Sequence, residues 1–146
     1  LHYVICGEGP DMPFLQKLTR QLHLEERVHP LGYRTDIPDM LGAADIFCMP
    51  SRREGCGMAA LEAMAAGLPL ITVRSHGTKT YAEKGESGFC LKGDLVTSCA
   101  DAIEQLADNK LLRRQMGARN RAAATAFSDA DRMMLLRGYY QKALGD

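Results

Sequence analysis

The sequence has no net charge, no long apolar run and no closely spaced pair of cysteines. Its 18 basic residues balance 18 acidic ones over 146 positions, so no overall field attracts nucleic acid or an anionic membrane. No apolar stretch approaches the roughly 18 residues of a membrane-spanning helix. The first residues lack the basic region and the Ala-x-Ala site of a signal peptide. We therefore expect a cytoplasmic protein that binds no nucleic acid and has no membrane span.

The five cysteines, at positions 6, 48, 56, 90 and 99, exclude further classes of site. None forms a CxxC pair, which argues against a zinc knuckle and against a disulfide framework. Three of them lie in apolar strand-like runs, where cysteine behaves as a small hydrophobe. This usage predicts a reducing, cytosolic setting.

Short apolar runs alternate with helix-like stretches along the first two thirds of the chain. The predicted strands are His2–Cys6, Val28–Gly32, Ile46–Met49, Leu70–Val73 and Gly88–Leu91. The predicted helices are Pro13–His23, Pro38–Ala43, Gly57–Ala66, Thr78–Lys84, Val96–Ala107, Lys110–Phe127 and Asp129–Leu144. Because the strands are almost continuously apolar, we expect them to be buried on both faces. The alternation predicts an α/β protein, a Rossmann-like doubly wound parallel sheet followed by a helical C-terminal segment.

Turn and cap residues support these boundaries. Pro13 and Pro38 suit the first turn of a helix, and Asp36 is a candidate cap. Gly67 followed by Pro69 predicts a helix end. No repeat or long linker divides residues 1–146, so we expect one domain. The chain opens directly on a strand, which indicates a fragment of a longer protein; a natural short protein is the alternative.

The stretch SRREGCGMAALEAMAAGLPL holds the main candidate site. Glu54 lies in a loop after a predicted strand, and Glu62 is the one acid in an otherwise apolar helix. Gly55 and Gly57 allow a ligand to approach the backbone closely. The free amides at Gly57, Met58 and Ala59 would then form a phosphate site at the positive end of the helix dipole.

Two carboxylates beside a phosphate site fit a nucleotide sugar, which has hydroxyl-rich rings on both sides of a diphosphate. Carboxylates accept strong hydrogen bonds from such hydroxyls. Structural alternatives remain open from spacing alone. Glu62 pairs with a buried arginine or faces solvent in these alternatives, and Glu54 only complements the helix dipole.

Several motifs in order resemble the glycosyltransferase family 4 type, retaining enzymes of GT-B architecture. PSRREGCGMAALEAMAAGLPLI resembles the family's Glu-x7-Glu signature, and VICGEGP resembles its strand and Gly-x-Gly-Pro turn. VHPLGYRTDIPDMLGAADIFCMPS and GESGFCLKGD resemble two further blocks. The resemblance covers nearly the whole chain and identifies it with the family's C-terminal, donor-binding domain.

The resemblance implies a hexosyltransferase that uses a nucleotide-diphosphate sugar, without a metal or other cofactor, in polysaccharide biosynthesis. By position, Glu54 would contact the transferred sugar and act at the catalytic centre, and Glu62 would hold the ribose. The backbone of Gly55, Cys56, Gly57 and Met58 would contact the sugar and the diphosphate. Tyr33 and Arg34 would border the nucleobase.

The resemblance also places essential parts outside this chain. The family's Arg and Lys that grip the diphosphate precede it, as does the N-terminal acceptor domain, through which the enzyme would meet the inner face of the membrane and a glycan or lipid-linked acceptor. The isolated chain should therefore be inactive. Cys56 replaces the family's usual Phe, and Thr80 stands where many relatives have Glu.

Other apparent motifs are weaker. Cys6 to Pro10 begins like a GxGxxG fingerprint, but Met12 replaces the third glycine and Pro10 intrudes, which argues against a dehydrogenase. The Asp-x-Asp at positions 129–131 opens a predicted helix and favours its dipole without a metal. The four histidines have no ligand spacing, and His76 alone lies in a loop facing the predicted site.

The sequence therefore predicts the donor-binding half of a retaining glycosyltransferase. Two rivals stay open. One is a non-catalytic nucleotide-binding domain of the same fold, and the other is a nucleotide-sugar epimerase.

Overall fold

The computed structural model describes residues 1–73, 87–127 and 141. Two compact units divide the chain, Leu1–Asp39 and Met40–Asp146. The predicted helix Thr78–Lys84 lies outside the described residues, as do His76, Thr80 and the Asp-x-Asp motif. The predicted helix Asp129–Leu144 lies outside them too, except for Gln141, which is helical.

The first unit is a β-α-β arrangement. Its elements are β1 (Tyr3–Cys6), α1 (Met12–Gln21) and β2 (Val28–Gly32), and α2 (Ile37–Ala43) begins at its end. The two strands pair in parallel, with an irregularity in the register between Ile5 and Cys6. Pro13 lies in the first turn of α1, as predicted. The helix ends two residues earlier than predicted. His23 has a positive φ of 53°, which is incompatible with a right-handed helix.

The expectation that every strand is buried on both faces is wrong for β1. Tyr3 and Val4 are 45% and 42% exposed, and Leu31 on β2 is 41% exposed. An apolar pattern indicates that a strand can be buried, but the other elements must supply the contacts. A two-stranded sheet with one helix supplies few of them. Burial on both faces therefore holds only where helices pack on both sides, as they do in the second unit.

The second unit contains a three-stranded parallel sheet in the order β3-β4-β5. Its strands are β3 (Phe47–Met49), β4 (Leu70–Val73) and β5 (Gly88–Leu91), and its helices are α3 (Met58–Ala66), α4 (Leu95–Asp108) and α5 (Lys110–Ala124), followed by a 3₁₀ turn at Thr125–Phe127. The prediction of a parallel α/β fold is confirmed. The described strands pair in two parallel sheets, one in each unit, where a single doubly wound sheet was expected.

Consecutive residues of β4 are buried on opposite faces of this sheet. Leu70 packs in a cluster with α3, through Leu61 and Met64. Ile71 packs in a second cluster with α4 and α5, through Leu106 and Met116. Since β4 is the central strand and is covered on both sides, it is the most completely buried of the described strands.

The C-terminal end of α3 is fixed by its own turn and by α5. Gly67 has a φ of 83°, and the amides of Gly67 and Leu68 donate back to the carbonyls of Met64 and Ala63, which closes the helix as the sequence predicts. Gly117 of α5 lies so close that an added Cβ would stand 2.0 Å from the Gly67 carbonyl oxygen. Only glycine allows this approach of the two elements.

Two side chains of α5 complete this contact. The Asn120 amide is fully buried and donates to the carbonyls of Leu68 and Ser87, at 2.6 and 2.8 Å. Arg121 donates to the Ala66 carbonyl at 2.8 Å, where a cation also complements the negative end of the helix. The position of α3 is thus set at its C-terminal end, while its N-terminal end carries the candidate site.

Within the described residues, no helix combines the length and the apolar character that crossing a membrane requires.

Candidate functional site

The α3 helix is apolar almost throughout, yet only one side of it is buried. Ala60, Leu61, Ala63 and Met64 face the core. The other side is exposed, and it consists of Met58, Ala59, Glu62 and Ala65. An exposed helix face made of small and apolar residues with a single carboxylate is unusual for a surface that meets only water. This composition points to a surface that contacts a ligand.

The loop before α3 turns into the helix at Gly57. This residue has a φ of 68° and a ψ of 48°, the left-handed conformation that favours glycine, and it is buried. Gly55 and Cys56 before it are exposed. The turn directs the chain so that the first amides of α3 follow immediately after the exposed loop.

Glu54 is anchored by the backbone of its own loop. Its Oε1 atom accepts hydrogen bonds from the amides of Gly55 and Gly57, at 3.1 and 3.0 Å. The side chain is half-buried, and its Oε2 atom has no hydrogen-bond partner among the described residues. The carboxylate is therefore held in one orientation, with one oxygen left to accept a further hydrogen bond.

This contact corrects one expectation, that the amide of Gly57 is free. The sequence signal was available: an acid three residues before a helix-capping glycine can accept from its amide, as capping side chains do. The amides of Ala60 and Leu61 donate to the Gly57 carbonyl. In the described part of the chain, the amides of Met58 and Ala59 have no acceptor, so these two remain for an anion.

Glu62 is exposed and forms no ion pair with any residue that the structure describes. The alternative that it neutralises a buried arginine is therefore not supported by the described contacts. It lies four residues after Met58 and three after Ala59, which puts all three on one helix face. The side chains of Met58, Ala59 and Glu62 therefore share the exposed side of α3. The amides of Met58 and Ala59, which have no acceptor among the described residues, point towards the N-terminal end of the helix, about one turn from the Glu62 carboxylate.

The other predicted site residues, Tyr33 and Arg34, belong to the first unit. Tyr33 is 75% exposed and follows β2 directly. The Arg34 guanidinium donates to Asp36, with 2.7 Å between Nε and Oδ1, and forms an ion pair with the same carboxylate. The hydrogen bond with Asp36 raises the pKa of Arg34 and lowers the pKa of Asp36. Asp36 precedes α2 at the predicted cap position, but its carboxylate is engaged by Arg34.

The structure thus brings together the predicted residues of one loop and one helix: Glu54, Gly55, Cys56, Gly57, Met58 and Glu62. Arg52 and Arg53 of the same loop are exposed. Sequence reasoning missed the residues that hold α3 from behind, Gly117, Asn120 and Arg121. A glycine and an asparagine within a helix that is otherwise rich in arginine and alanine were the available signal.

Comparison with known proteins identifies the family. The family described as Glycosyl transferases group 1 matches residues 1–123. The chain belongs to this family. The resemblance drawn from its motifs is therefore confirmed for the family and for the fold.

Three known proteins illustrate how this chain relates to others. N-acetyl-alpha-D-glucosaminyl L-malate synthase of Bacillus anthracis is 35% identical over 119 residues, 81% of this chain and 31% of that protein. The pneumococcal O-GlcNAc transferase GtfA, solved with UDP and GlcNAc, superposes with a TM-score of 0.89 at 22% identity, covering 100% of this chain and 30% of that one. Anabaena Alr3699/HepE, solved with UDP-glucose, superposes with a TM-score of 0.79 at 25% identity, covering 85% of this chain and 36% of that one.

These comparisons also define the extent of the match. The chain spans about a third of the length of the relatives that it matches. The similarity at 22% identity shows the fold alone, that of GT-B glycosyltransferases.

Proposed function

We propose that this chain is the donor-binding part of a retaining glycosyltransferase that takes a nucleoside-diphosphate sugar. The observation that carries the proposal is the exposed N-terminal end of α3, where the amides of Met58 and Ala59 lack an acceptor among the described residues and the exposed Glu62 follows about one turn later. Backbone amides at the positive end of a helix dipole bind phosphate groups. Family membership supports a sugar-transfer role for this site.

In this proposal the diphosphate binds at the amides of Met58 and Ala59. When the bond between the sugar C1 and the phosphate oxygen breaks, the diphosphate leaves with additional negative charge. Amides that already point at that oxygen stabilise the charge without reorganising. The hydroxyl oxygen of an acceptor forms the new bond to C1, and its proton is released.

Glu54 binds the transferred sugar through its Oε2 atom, which has no hydrogen-bond partner in the part of the chain that the structure describes. Its Oε1 atom is held by two amides, which offset part of the negative charge that would otherwise repel the nearby diphosphate. A carboxylate that is already oriented loses little side-chain entropy when a sugar hydroxyl donates to it. Glu62 accepts hydrogen bonds from the ribose hydroxyls, on the other side of the diphosphate.

UDP is the first nucleotide to test, because the Anabaena protein of similar fold was solved with UDP-glucose. Tyr33, 75% exposed after β2, and the backbone of Arg34 are the proposed neighbours of the base. The acceptor site belongs to the remainder of a longer protein. The relatives are about three times as long as this chain, which supports that assignment.

Affinity measurements on substituted chains test these roles. Glu62→Ala should weaken UDP binding by about 1–3 kcal/mol, the range for a hydrogen bond to a charged group, or roughly five- to 150-fold in Kd. Glu54→Gln should weaken UDP-glucose binding while leaving the affinity for UDP within a few-fold. Ligand-observed NMR titration with each compound measures both.

Glu104→Ala supplies the matched control, since Glu104 is an exposed helical carboxylate on α4. It should leave both affinities unchanged. A folded Glu62→Ala chain with wild-type UDP affinity would remove Glu62 from the site. Equal losses of UDP affinity in Glu54→Gln and Glu62→Ala would contradict the division between sugar and ribose.

A further inference from the structure

The two strands of the first unit differ in how their outer edges are formed. Among the described residues, β1 pairs with β2 alone. Each strand therefore has an inner edge, which faces its partner, and an outer edge, which faces away. The backbone groups of an outer edge can pair with a further strand unless the sequence blocks them.

The inner edge of β1 is bonded to β2 along its length. The amides of Tyr3 and Gly7 donate to the carbonyls of Arg27 and Gly32, both at 2.7 Å. Consecutive residues of a strand direct their N–H and C=O groups to opposite edges. The alternate residues between and around these two bonds therefore point to the outer edge.

The side chains of His2 and His29 add a contact at the start of the same pairing. Nδ1 of His2 lies 3.1 Å from Nε2 of His29, the distance of a hydrogen bond between the two rings. The pairing of β1 with β2 is thus supported by side chains as well as by the backbone.

The outer edge of β1 is open. By the alternation, Val4 and Cys6 direct their N–H and C=O groups away from β2. Neither amide donates to a carbonyl elsewhere in the part of the chain that the structure describes. The four residues of β1 include no proline and no charged side chain, the features that usually protect an edge.

The outer edge of β2 is blocked, in contrast. Its outward residues are Val28 and Pro30. The Val28 amide already donates to the Leu24 carbonyl at 2.9 Å, and proline has no N–H and is confined to edges of this kind. The sequence therefore protects one edge of this small sheet and leaves the other able to pair.

The first unit also leaves apolar side chains uncovered. Tyr3 and Val4 of β1 are 45% and 42% exposed. On α1, Phe14 and Leu18 are 67% and 37% exposed, and their spacing of four residues puts them on one helix face. Apolar surface of this kind marks a place where another element packs.

We propose that the outer edge of β1 pairs with a further parallel strand, which belongs to the remainder of the longer protein. The inference rests on the proposed function, which makes this chain a part of such a protein. The relatives that it matches are about three times as long. All described strand pairs are parallel. A parallel neighbour needs a crossover connection of about a dozen residues or more, which a longer polypeptide supplies.

A strand of the same polypeptide fits this edge better than a second copy of the chain does. β1 has four residues, a length of about 13 Å, and only two of them point outwards. Stable association of separate chains buries about 1,200–2,000 Å², far more than so short an edge supplies. A segment of the same polypeptide pairs at a high effective concentration and needs no such area.

Amide hydrogen exchange of the 146-residue chain and of the longer protein, compared by NMR without UDP, tests the proposal. In the 146-residue chain, the amides of Val4 and Cys6 should exchange nearly as fast as unstructured backbone, and that of Ile5 more slowly. In the longer protein, Val4 and Cys6 should exchange roughly 100-fold more slowly or less, because hydrogen-bonded strand amides exchange only when the structure opens. The control is Val28, whose amide is already bonded; it should exchange alike in both.

Three results would overturn the proposal. Equally fast exchange of Val4 and Cys6 in both proteins would mean that no strand pairs with this edge. Slow exchange in the 146-residue chain that increases in protection with protein concentration would assign the edge to a second copy. Slow exchange at every concentration would assign it to another part of the same 146 residues. Since no nucleotide is present, none of these results depends on UDP binding, which the affinity measurements test separately.

Discussion

Cys48 and Cys99 lie 3.8 Å apart, sulfur to sulfur, where β3 packs on α4. Burial, followed by the neighbouring Cys99 thiol, raises the pKa of Cys48 to about 12 from an ordinary value of 9.0. The neutral thiol is therefore favoured in the folded state. Reactive cysteines are those with an accessible thiolate, so Cys48 should be inert where the exposed Cys6 and Cys56 react.

This raised pKa predicts how stability depends on alkaline pH. The contribution of Cys48 is fully present below about pH 9, where the thiol is neutral in both states, and it is lost as the pH rises towards 12. Urea unfolding between pH 8 and pH 11 should show a decline that is shallower in Cys48→Ala. Cys90→Ala, on β5, should retain the wild-type decline. A Cys48→Ala chain with the wild-type slope would contradict this account.

At the same scale, the sequence predicted which residues form the site loop but not their contacts. Glu54 and Glu62 were distinguishable because they interrupt an apolar, glycine-containing stretch. The hydrogen bond from the Gly57 amide to Glu54 depends on the loop conformation, which the spacing of residues does not specify. The contact of His2 with His29 depends on a parallel register between residues 27 positions apart, and no local pattern encodes it.

At the scale of elements, the contact of α5 with the end of α3 matters most for the site. Gly117, Asn120 and Arg121 hold the turn after α3. A helix of nine residues fixed firmly at one end keeps its other end in a defined position. The amides of Met58 and Ala59 are therefore preorganised by contacts at the opposite end of the helix.

Asn120→Ala should lower the free energy of unfolding by about 1–3 kcal/mol, the cost of an unsatisfied buried acceptor. The substitution leaves the buried carbonyl of Leu68 without the Asn120 amide, whereas the Ser87 carbonyl keeps its hydrogen bond from the Leu70 amide. Urea unfolding measures the change. Arg119→Ala, at the preceding exposed position, should stay within about 0.5 kcal/mol of the wild type. Similar losses of unfolding free energy in the two variants would contradict a specific contribution of the buried Asn120 amide to stability.

Most element boundaries were predictable from local chemistry. The turn signals at Pro13, Gly67 and Pro69 act within a few residues, and those boundaries agree with the structure. The exposure of β1 was not predictable, because burial depends on what packs against a strand and not on its own residues. The predicted helix Lys110–Phe127 contains a change of type, since the α-helix ends at Ala124 and continues as a 3₁₀ turn.

At the scale of the whole molecule, the chain should not transfer sugar by itself. It spans about a third of the relatives it matches, and we expect the acceptor site in the remaining part of a longer protein. Incubation of the purified chain with UDP-glucose and glycan or lipid-linked acceptors, followed by mass spectrometry of the products, tests this. No transfer product should form. Turnover by these 146 residues alone would contradict the placement of the acceptor site in another part.

The central claim is that the start of α3 binds the diphosphate, and amide NMR of the chain titrated with UDP tests it most directly. The amides of Met58 and Ala59 should shift with UDP and hardly at all with uridine, which lacks the phosphates. The amides of Val96 and Leu112 are internal controls, because the side chains of Asp94 and Asn109 already cap these helix N-termini. They should not move. Saturating UDP that shifts the control amides as much as those of Met58 and Ala59, or leaves all four in place, would contradict the account.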